Sequence, residues 1–244
     1  MWPYVSTLVG RASALNGIEN ETYKAEDDLR EVDHAEEEAR RWQQGGDKPQ
    51  GLWLASRAKK VLAAIERFGK NLSPELQRFL RPQEILLERL NHDECSDQER
   101  LVIGQKLAEF GDTRPGVGVK DGLPDIIWIE IPGGQVKLKT LEHMFEVKPF
   151  KIAKYPVTNA QFEVFLMAED GYRNEKWWED MEQSQEAAQP NWREANCPRE
   201  TVSWYESVAF CRWLSDWTGS SVRLPSEAEW QQAATGGNPQ GEYP

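Results

Sequence analysis

The sequence predicts an α+β chain in two parts: short helices through residues 1–111, a linker at 112–125, and a mixed α/β region over 126–244. Three observations carry this. Extended apolar runs, IIWIEI at 126–131 and MFEVKPFKIA at 144–153, occur only in the second part. Helix-start signatures of the Ser-x-x-Glu type recur, and two of them fall close together within 201–237. The stretch DTRPGVGVKDGLPD at 112–125 concentrates glycine, proline and charge, as a boundary does.

Composition limits the function classes. A chain of 244 residues can bury a core in one large or two small domains. A formal charge of -12 and a pI near 4.9 argue against nucleic acid or an anionic membrane as partner. No apolar run approaches the roughly 20 residues of a membrane helix. Residues 1–10 lack the basic and apolar order of a secretory signal. Cys95, Cys197 and Cys211 are too few and too irregular for a disulfide framework, so a reducing, cytoplasmic setting is expected.

In chain order, residues 1–20 suggest only a scrap of helix. Residues 21–44 are dense in Glu, Ala and Arg, with Tyr23, Leu29, Val32 and Trp42 as a thin apolar set, and predict a solvated helix. His34 sits among acids there and is expected to be exposed. Gly45, Gly46 and Pro49 break that helix. Residues 52–68 place Leu54, Ala58, Val61, Leu62, Ile65 and Phe68 on one helical face. Gly69 stops it, Ser73 and Pro74 start a short helix to Leu80, and 82–90 reads as another. Ser96 with Glu99 predicts a boxed start for a helix ending at Gly111.

In the second part, 126–131 reads as a strand burying one or both faces, and 144–153 as a second extended segment. His143, near its start, is expected to be structural or exposed. Thr158 caps a helix over 159–167 whose inward residues are Phe162, Phe165 and Leu166. Ser203 and Glu206 open a helix at Trp204; Val208, Cys211, Leu214 and Trp217, flanked by Trp204, Phe210 and Trp213, form its broad apolar stripe. Gly219 ends it, 221–224 reads as extended, and Ser226 with Glu229 opens a last helix through about Ala234.

The run VSWYESVAFCRWLSDWTG…VRLPSEAEWQQAATGG, with IPGG at 131–134 and KYPVTNAQFEVFL at 154–166, resembles the sulfatase-modifying-factor, or formylglycine-generating-enzyme, family. The resemblance covers about residues 126–244. It implies a C-type lectin-like fold, and Thr158 and Asn159 as architecture within it. The family includes oxidases of a client sulfatase cysteine, iron-dependent sulfoxide synthases, and relatives that only bind ligands, so membership leaves function open. Copper and calcium are implied for a complete oxidase and iron for a synthase. The oxidases' copper-binding cysteines lie in a later RGGSW-like segment that this sequence does not reach, so no residue here is assigned as catalytic or metal-binding by carry-over. GLWLASRAKKVLAAIERFGKNLSPELQRFL, at 51–80, is similar to the helical tail of multidomain signalling ATPases, and ERLVIGQKLAEFGDTRPGVG, at 99–118, to a short repeat preceding such domains. Further domains of a larger signalling chain are implied. No Walker-type loop is present, so no nucleotide site is expected.

Candidate ligand contacts are Tyr172, Trp177, Trp178, Asn191, Trp192 and Arg193, because these rings sit in a polar stretch without helical period. The competing reading makes the rings plugs of a loop-rich core. Residues 121–244 hold 20 acidic against 11 basic side chains, which favours a basic segment of a protein or peptide client, with a solvated surface as the default reading of such charge and a small ligand remaining open. Cys211 lies on an apolar stripe and reads as a buried small hydrophobe. Cys197 precedes Pro198 in a loop, with Arg193 and Arg199 as the nearest cations in sequence. Three function classes follow: a client-cysteine oxidase completed by a further C-terminal part, a lectin-like recognition module, and an iron-dependent sulfoxide synthase. His34 and His92 form no motif matching the histidine ligands of the last.

Overall fold

A computed structural model describes residues 4–138 and 144–236, with side chains described from residue 23. His143 lies outside the described residues. The chain divides into two units, Met1–Gly111 and Asp112–Pro244.

The first unit is helical: α1 Tyr4–Gln44, α2 Ala55–Phe68, α3 Pro74–Leu80, α4 Gln83–Leu90 and α5 Asp97–Phe110. One continuous helix thus replaces the expected scrap and separate helix before residue 44. Good helix formers and spaced ion pairs, such as Arg41 with Glu37 at 3.7 Å, sustain it. Its buried stripe is Val32, Ala35, Ala39 and Trp42, whereas Tyr23 is exposed. The small alanines let α2 and α3 pack against it. Leu54, expected on the inward face of α2, is exposed because it is the extended N-cap residue and not part of the helix. Phe79 centres the core, with Trp42 and Trp53 ring centroids at 5.6 and 5.3 Å. Exposed His34 stacks on Trp53.

Ser73 caps α3 as expected, accepting from the Leu76 amide at 3.2 Å. The box at α5 is only half formed. Ser96 Oγ accepts from the Glu99 amide at 3.3 Å, but the Glu99 carboxylate pairs with Arg89 of α4 instead of reaching back.

The second unit contains three two-stranded antiparallel ladders, three α-helices and a short 3-10 helix, Glu175–Trp178, among its described residues. β1 Val119–Lys120 pairs with β2 Leu123–Pro124, β3 Trp128–Ile131 with β6 Phe150–Ala153, and β4 Gly134–Lys137 with β5 Met144–Val147. The expected linker at 112–125 is part of this unit. Asp112 binds Arg114 at 2.6 Å and Asn196 at 2.9 Å, and Asp125 accepts from the Gly116 amide at 2.7 Å. Burial raises the Asp112 carboxyl, but its hydrogen bonds from Arg114 and Asn196 outweigh that and hold it below the usual carboxylate range.

The expected single segment at 144–153 is two strands in different ladders, because the chain leaves the β4–β5 ladder at Lys148 and Pro149 before entering β6. β3 does not bury its faces: Trp128 and Ile129 are 41% and 40% exposed. Among the described residues it is paired on one edge only, with β6. Residues 221–224 form no strand; the Val222 amide is held instead by Ser215 Oγ at 2.8 Å.

The helices are α6 Asn159–Met167, α7 Trp204–Thr218 and α8 Glu227–Ala234, and all three carry reciprocal capping boxes. Gly219 ends α7 at φ 64, the left-handed conformation expected. The α7 stripe is rotated from its sequence placement. Ala209, Phe210, Cys211, Trp213 and Leu214 are buried, while Trp204 and Trp217 are 62% and 52% exposed. Glu206 shares the buried face, three and four positions before Ala209 and Phe210. Phe165 is the hub of the core, its ring 5.7 Å from Phe162, 5.7 Å from Tyr172, 5.8 Å from Phe210 and 5.4 Å from Trp213. Gly171 closes α6 so tightly that a Cβ there would lie 2.0 Å from the Phe165 carbonyl oxygen.

Candidate functional site

The polar residues of α6 anchor the loops of the second unit. Thr158 Oγ1 donates to the Val117 carbonyl at 2.8 Å, and Gln161 Nε2 donates to the carbonyls of Gly116 at 3.2 Å and Asp125 at 2.5 Å. The first amides of the helix, normally left without partners, donate to the carbonyls of Cys197 and Ala195, each at 2.9 Å. Asn159 Nδ2 donates to the carbonyls of Trp192 at 2.7 Å and Glu194 at 3.0 Å. Thr158 and Asn159 are therefore architectural, and they hold 192–197 against the helix start.

The six candidate ligand residues separate into two groups. Tyr172, Trp177 and Trp178 are each 4% exposed, inside the aromatic core. Their polar atoms point inward: Trp178 Nε1 donates to the Tyr172 carbonyl at 2.8 Å, and Trp177 Nε1 to the Asp170 carbonyl at 2.5 Å. Burial of these rings is what fills a unit with few strands. Asn191, Trp192 and Arg193 lie on the surface instead, with Trp192 64% exposed.

That surface edge is locked by Glu200. Its carboxylate accepts from the Asn191 amide, from Asn191 Nδ2 at 3.0 Å and from the Trp192 amide at 3.2 Å. The Thr201 hydroxyl, followed by these amides, holds the Glu200 carboxyl below its usual range. Nothing in the residue pattern marks Glu200 as a clamp, because its partners are backbone groups eight and nine positions earlier.

A cleft of about 980 Å³ opens in the same unit between β3, β6, the segment 154–157 that leads into α6, and helices α7 and α8. Trp128, Ile152, Val157, Leu214, Leu224 and Trp230 give it an apolar wall. Sequence reasoning missed it, since its residues come from segments far apart in the chain that no local pattern links.

Neither thiol of the unit is poised for chemistry. Burial pushes Cys211 up to about 11, and burial together with Glu194, 3.8 Å away, raises Cys197. Among the described residues no three His, Cys, Asp or Glu side chains converge on a metal position. No helix among the described residues is long and apolar enough to cross a membrane.

A profile of the sulfatase-modifying factor enzyme 1-like domain matches residues 120–244. A hercynine oxygenase of Mycolicibacterium thermoresistibile is 26% identical over 172 residues, covering 58% of this chain and 37% of the relative. That of Mycobacterium tuberculosis is 29% identical over 111 residues, covering 37% and 24%. The formylglycine-generating enzyme of Bos taurus is 28% identical over 124 residues, covering 37% and 32%. The chain thus spans between 24% and 37% of the length of these relatives. No solved structure matches the chain significantly.

Proposed function

The chain belongs to the sulfatase-modifying factor enzyme 1-like family through residues 120–244, and on that premise we propose that its second unit is the client-recognition part of a formylglycine-generating-type domain, one that oxidises a cysteine of a protein or peptide client. In this reading α6, α7 and the 170–201 loops form a rigid aromatic base of C-type lectin-like architecture. Asn191, Trp192 and Arg193 form the face turned toward the client. The observation that supports it is the exposed Trp192 side chain on a backbone held from both sides, by Glu200 and by Asn159.

On this reading Cys197 and Cys211 are not the redox thiols, since burial raises both and Glu194 raises Cys197 further. Incubating the full-length protein with copper(I) and a cysteine-containing sulfatase peptide tests it by mass spectrometry of the peptide. Copper-dependent conversion of the cysteine to formylglycine is expected; a folded protein that leaves the peptide unchanged refutes it.

One observation favours a second reading, an iron-dependent sulfoxide synthase. The alignment with the Mycolicibacterium thermoresistibile hercynine oxygenase covers 58% of the chain, and so extends beyond the residues matched by the family. Metal titration of the full-length protein separates the readings: tight copper(I) supports the oxidase, ferrous iron the synthase. Binding of neither metal leaves a recognition module without redox chemistry.

A further inference from the structure

The cleft lined by β3, β6, α7 and α8 has a wall and a charge that together select one kind of occupant. We propose that it binds an amphipathic monoanion, a carboxylate carried on an apolar chain of the fatty-acid type, and that Lys154 receives the head. The assignment stands apart from the client reading, since none of Asn191, Trp192 and Arg193 lines this cleft.

The wall selects the body. At about 980 Å³ the cleft is at the upper end of the range for small-molecule sites, which are mostly apolar with a few placed polar groups. Phe210 and Leu214 of α7, 4% and 2% exposed, belong to it. Trp128 of β3 and Trp230 of α8 belong to it too, yet stand 41% and 62% exposed. An apolar body entering the cleft takes both indoles out of water. A polypeptide laid against Leu214 and Leu224 brings amide and carbonyl groups that such side chains cannot satisfy, whereas a hydrocarbon chain brings none.

Charge selects the head. Residues 121–244 carry 20 acidic against 11 basic side chains, yet the cleft is lined by three cations, Lys151, Lys154 and Arg223, against the one carboxylate of Glu229. Two of these cations are already matched. Arg223 donates to both oxygens of Glu229, at 2.6 and 2.7 Å, and Lys151 meets Glu130 of β3 at 3.2 Å. Lys154 forms no ion pair among the described residues; its ammonium lies 5.2 Å from the centre of the Tyr155 ring. Arg114, 5.8 Å from the same ring, is taken by Asp112 at 2.6 Å. A single positive charge is thus left over at the cleft, and a single carboxylate neutralises it through a charge-assisted hydrogen bond. A dianion would bring a second charge toward an acidic unit, and a cation would meet Lys154.

The margins of the cleft are fixed before a ligand arrives. The Lys154 amide donates to the Ile127 carbonyl at 2.8 Å, which holds the root of its side chain at the end of the β3–β6 ladder. The Val222 amide on Ser215 and the Arg223–Glu229 pair tie residues 222–223 to α7 and α8. Binding therefore has little of the protein left to order.

The test is calorimetric titration of the full chain with decanoate below its micelle concentration. Saturable binding of one equivalent is expected, and decyltrimethylammonium, with the same chain length and the opposite charge, is expected to bind more weakly. Lys154→Gln should weaken decanoate about three- to tenfold, as loss of a partly screened ion pair does, and leave binding of uncharged decanol unchanged. Ala233→Trp, which places an indole in the cleft from α8, should abolish both. Lys154 is exposed, so Lys154→Gln keeps the wild-type unfolding midpoint and decides the question even if Ala233→Trp lowers it. No saturable binding by the wild type, equal binding of the trimethylammonium compound, or undiminished binding by Lys154→Gln overturns the assignment. Hydrogen-exchange protection of every amide from 150 to 153 in the full-length protein also overturns it. β3 alone bonds only alternate amides of β6, so complete protection would mean that a polypeptide strand holds the place.

Discussion

Replacing Tyr172 by Phe removes a single oxygen and probes the bond that ties the aromatic loop to the first turn of α7. The phenol donates to Glu206 Oε1 at 3.0 Å, while Glu206 Oε2 accepts from the Ser203 amide at 2.7 Å. Both side chains are 4% exposed, so water cannot replace the lost partner. The ring itself stays, with its contacts to Phe165 at 5.7 Å and Trp178 at 5.1 Å. The substitution removes the hydrogen bond to the carboxylate, which corresponds to about 1.5–3 kcal/mol, together with the weaker hydrogen bond between the phenol oxygen and the Ser184 side chain. Urea unfolding followed by tryptophan fluorescence should show a lower midpoint at unchanged slope. The double variant with Glu206→Gln should lose less than the sum of the single losses, because the two groups share one interaction. A Tyr172→Phe loss below about 0.5 kcal/mol would refute the role given to this bond. Alkaline pH gives an independent check. Burial first, then the Glu206 hydrogen bond, raises the Tyr172 phenol from 10.0 to about 12. The folded chain therefore holds this proton more tightly than the unfolded one. The stabilisation is complete below pH 10 and is lost as pH rises toward 12, and Tyr172→Phe should abolish that part of the alkaline decline.

Trp213→Ala should cost about 3–5 kcal/mol in the same unfolding assay, since Trp213 is 1% exposed and faces both Phe165 and Phe210; a loss under about 1 kcal/mol would mean that the core is not organised around α7. Thiol labelling with an aromatic disulfide near neutral pH should leave Cys211 unreacted until the protein unfolds, because burial holds its thiol near 11. Fast labelling of Cys211 in the native chain would contradict that burial.

Local signals in the sequence were the most legible. The start of α7 at Trp204, its stop at Gly219 and the starts of α6 and α8 are written in capping residues, whose partners lie three positions away. Where the deciding partner was distant, the reading failed. Glu99 has the right spacing for a box, yet Arg89 of another helix claims its carboxylate. Periodicity placed Trp217 on the α7 stripe, but its indole reaches Asp170 Oδ2 at 2.9 Å on the surface. The segment at 126–131 has the composition of a buried strand, and composition does not say whether a second neighbour will cover it. For the candidate site, the aromatic stretch was visible but its division was not. Tyr172, Trp177 and Trp178 go inward, into the aromatic cluster with Phe165 and Phe210. Trp192 lies outside, on a backbone held by Glu200 and Asn159.

The open cleft beside β3 has a thermodynamic consequence. About 980 Å³ of largely apolar space stands in contact with water, so part of the hydrophobic driving force available to this unit is not realised by the residues that line it. Whatever occupies that space adds stability in proportion to the logarithm of its concentration over its dissociation constant, about 2.7 kcal/mol at a hundredfold excess. The melting temperature of the unit is then a property of the solution as much as of the chain, and two preparations of identical sequence can differ in it without any difference in covalent structure.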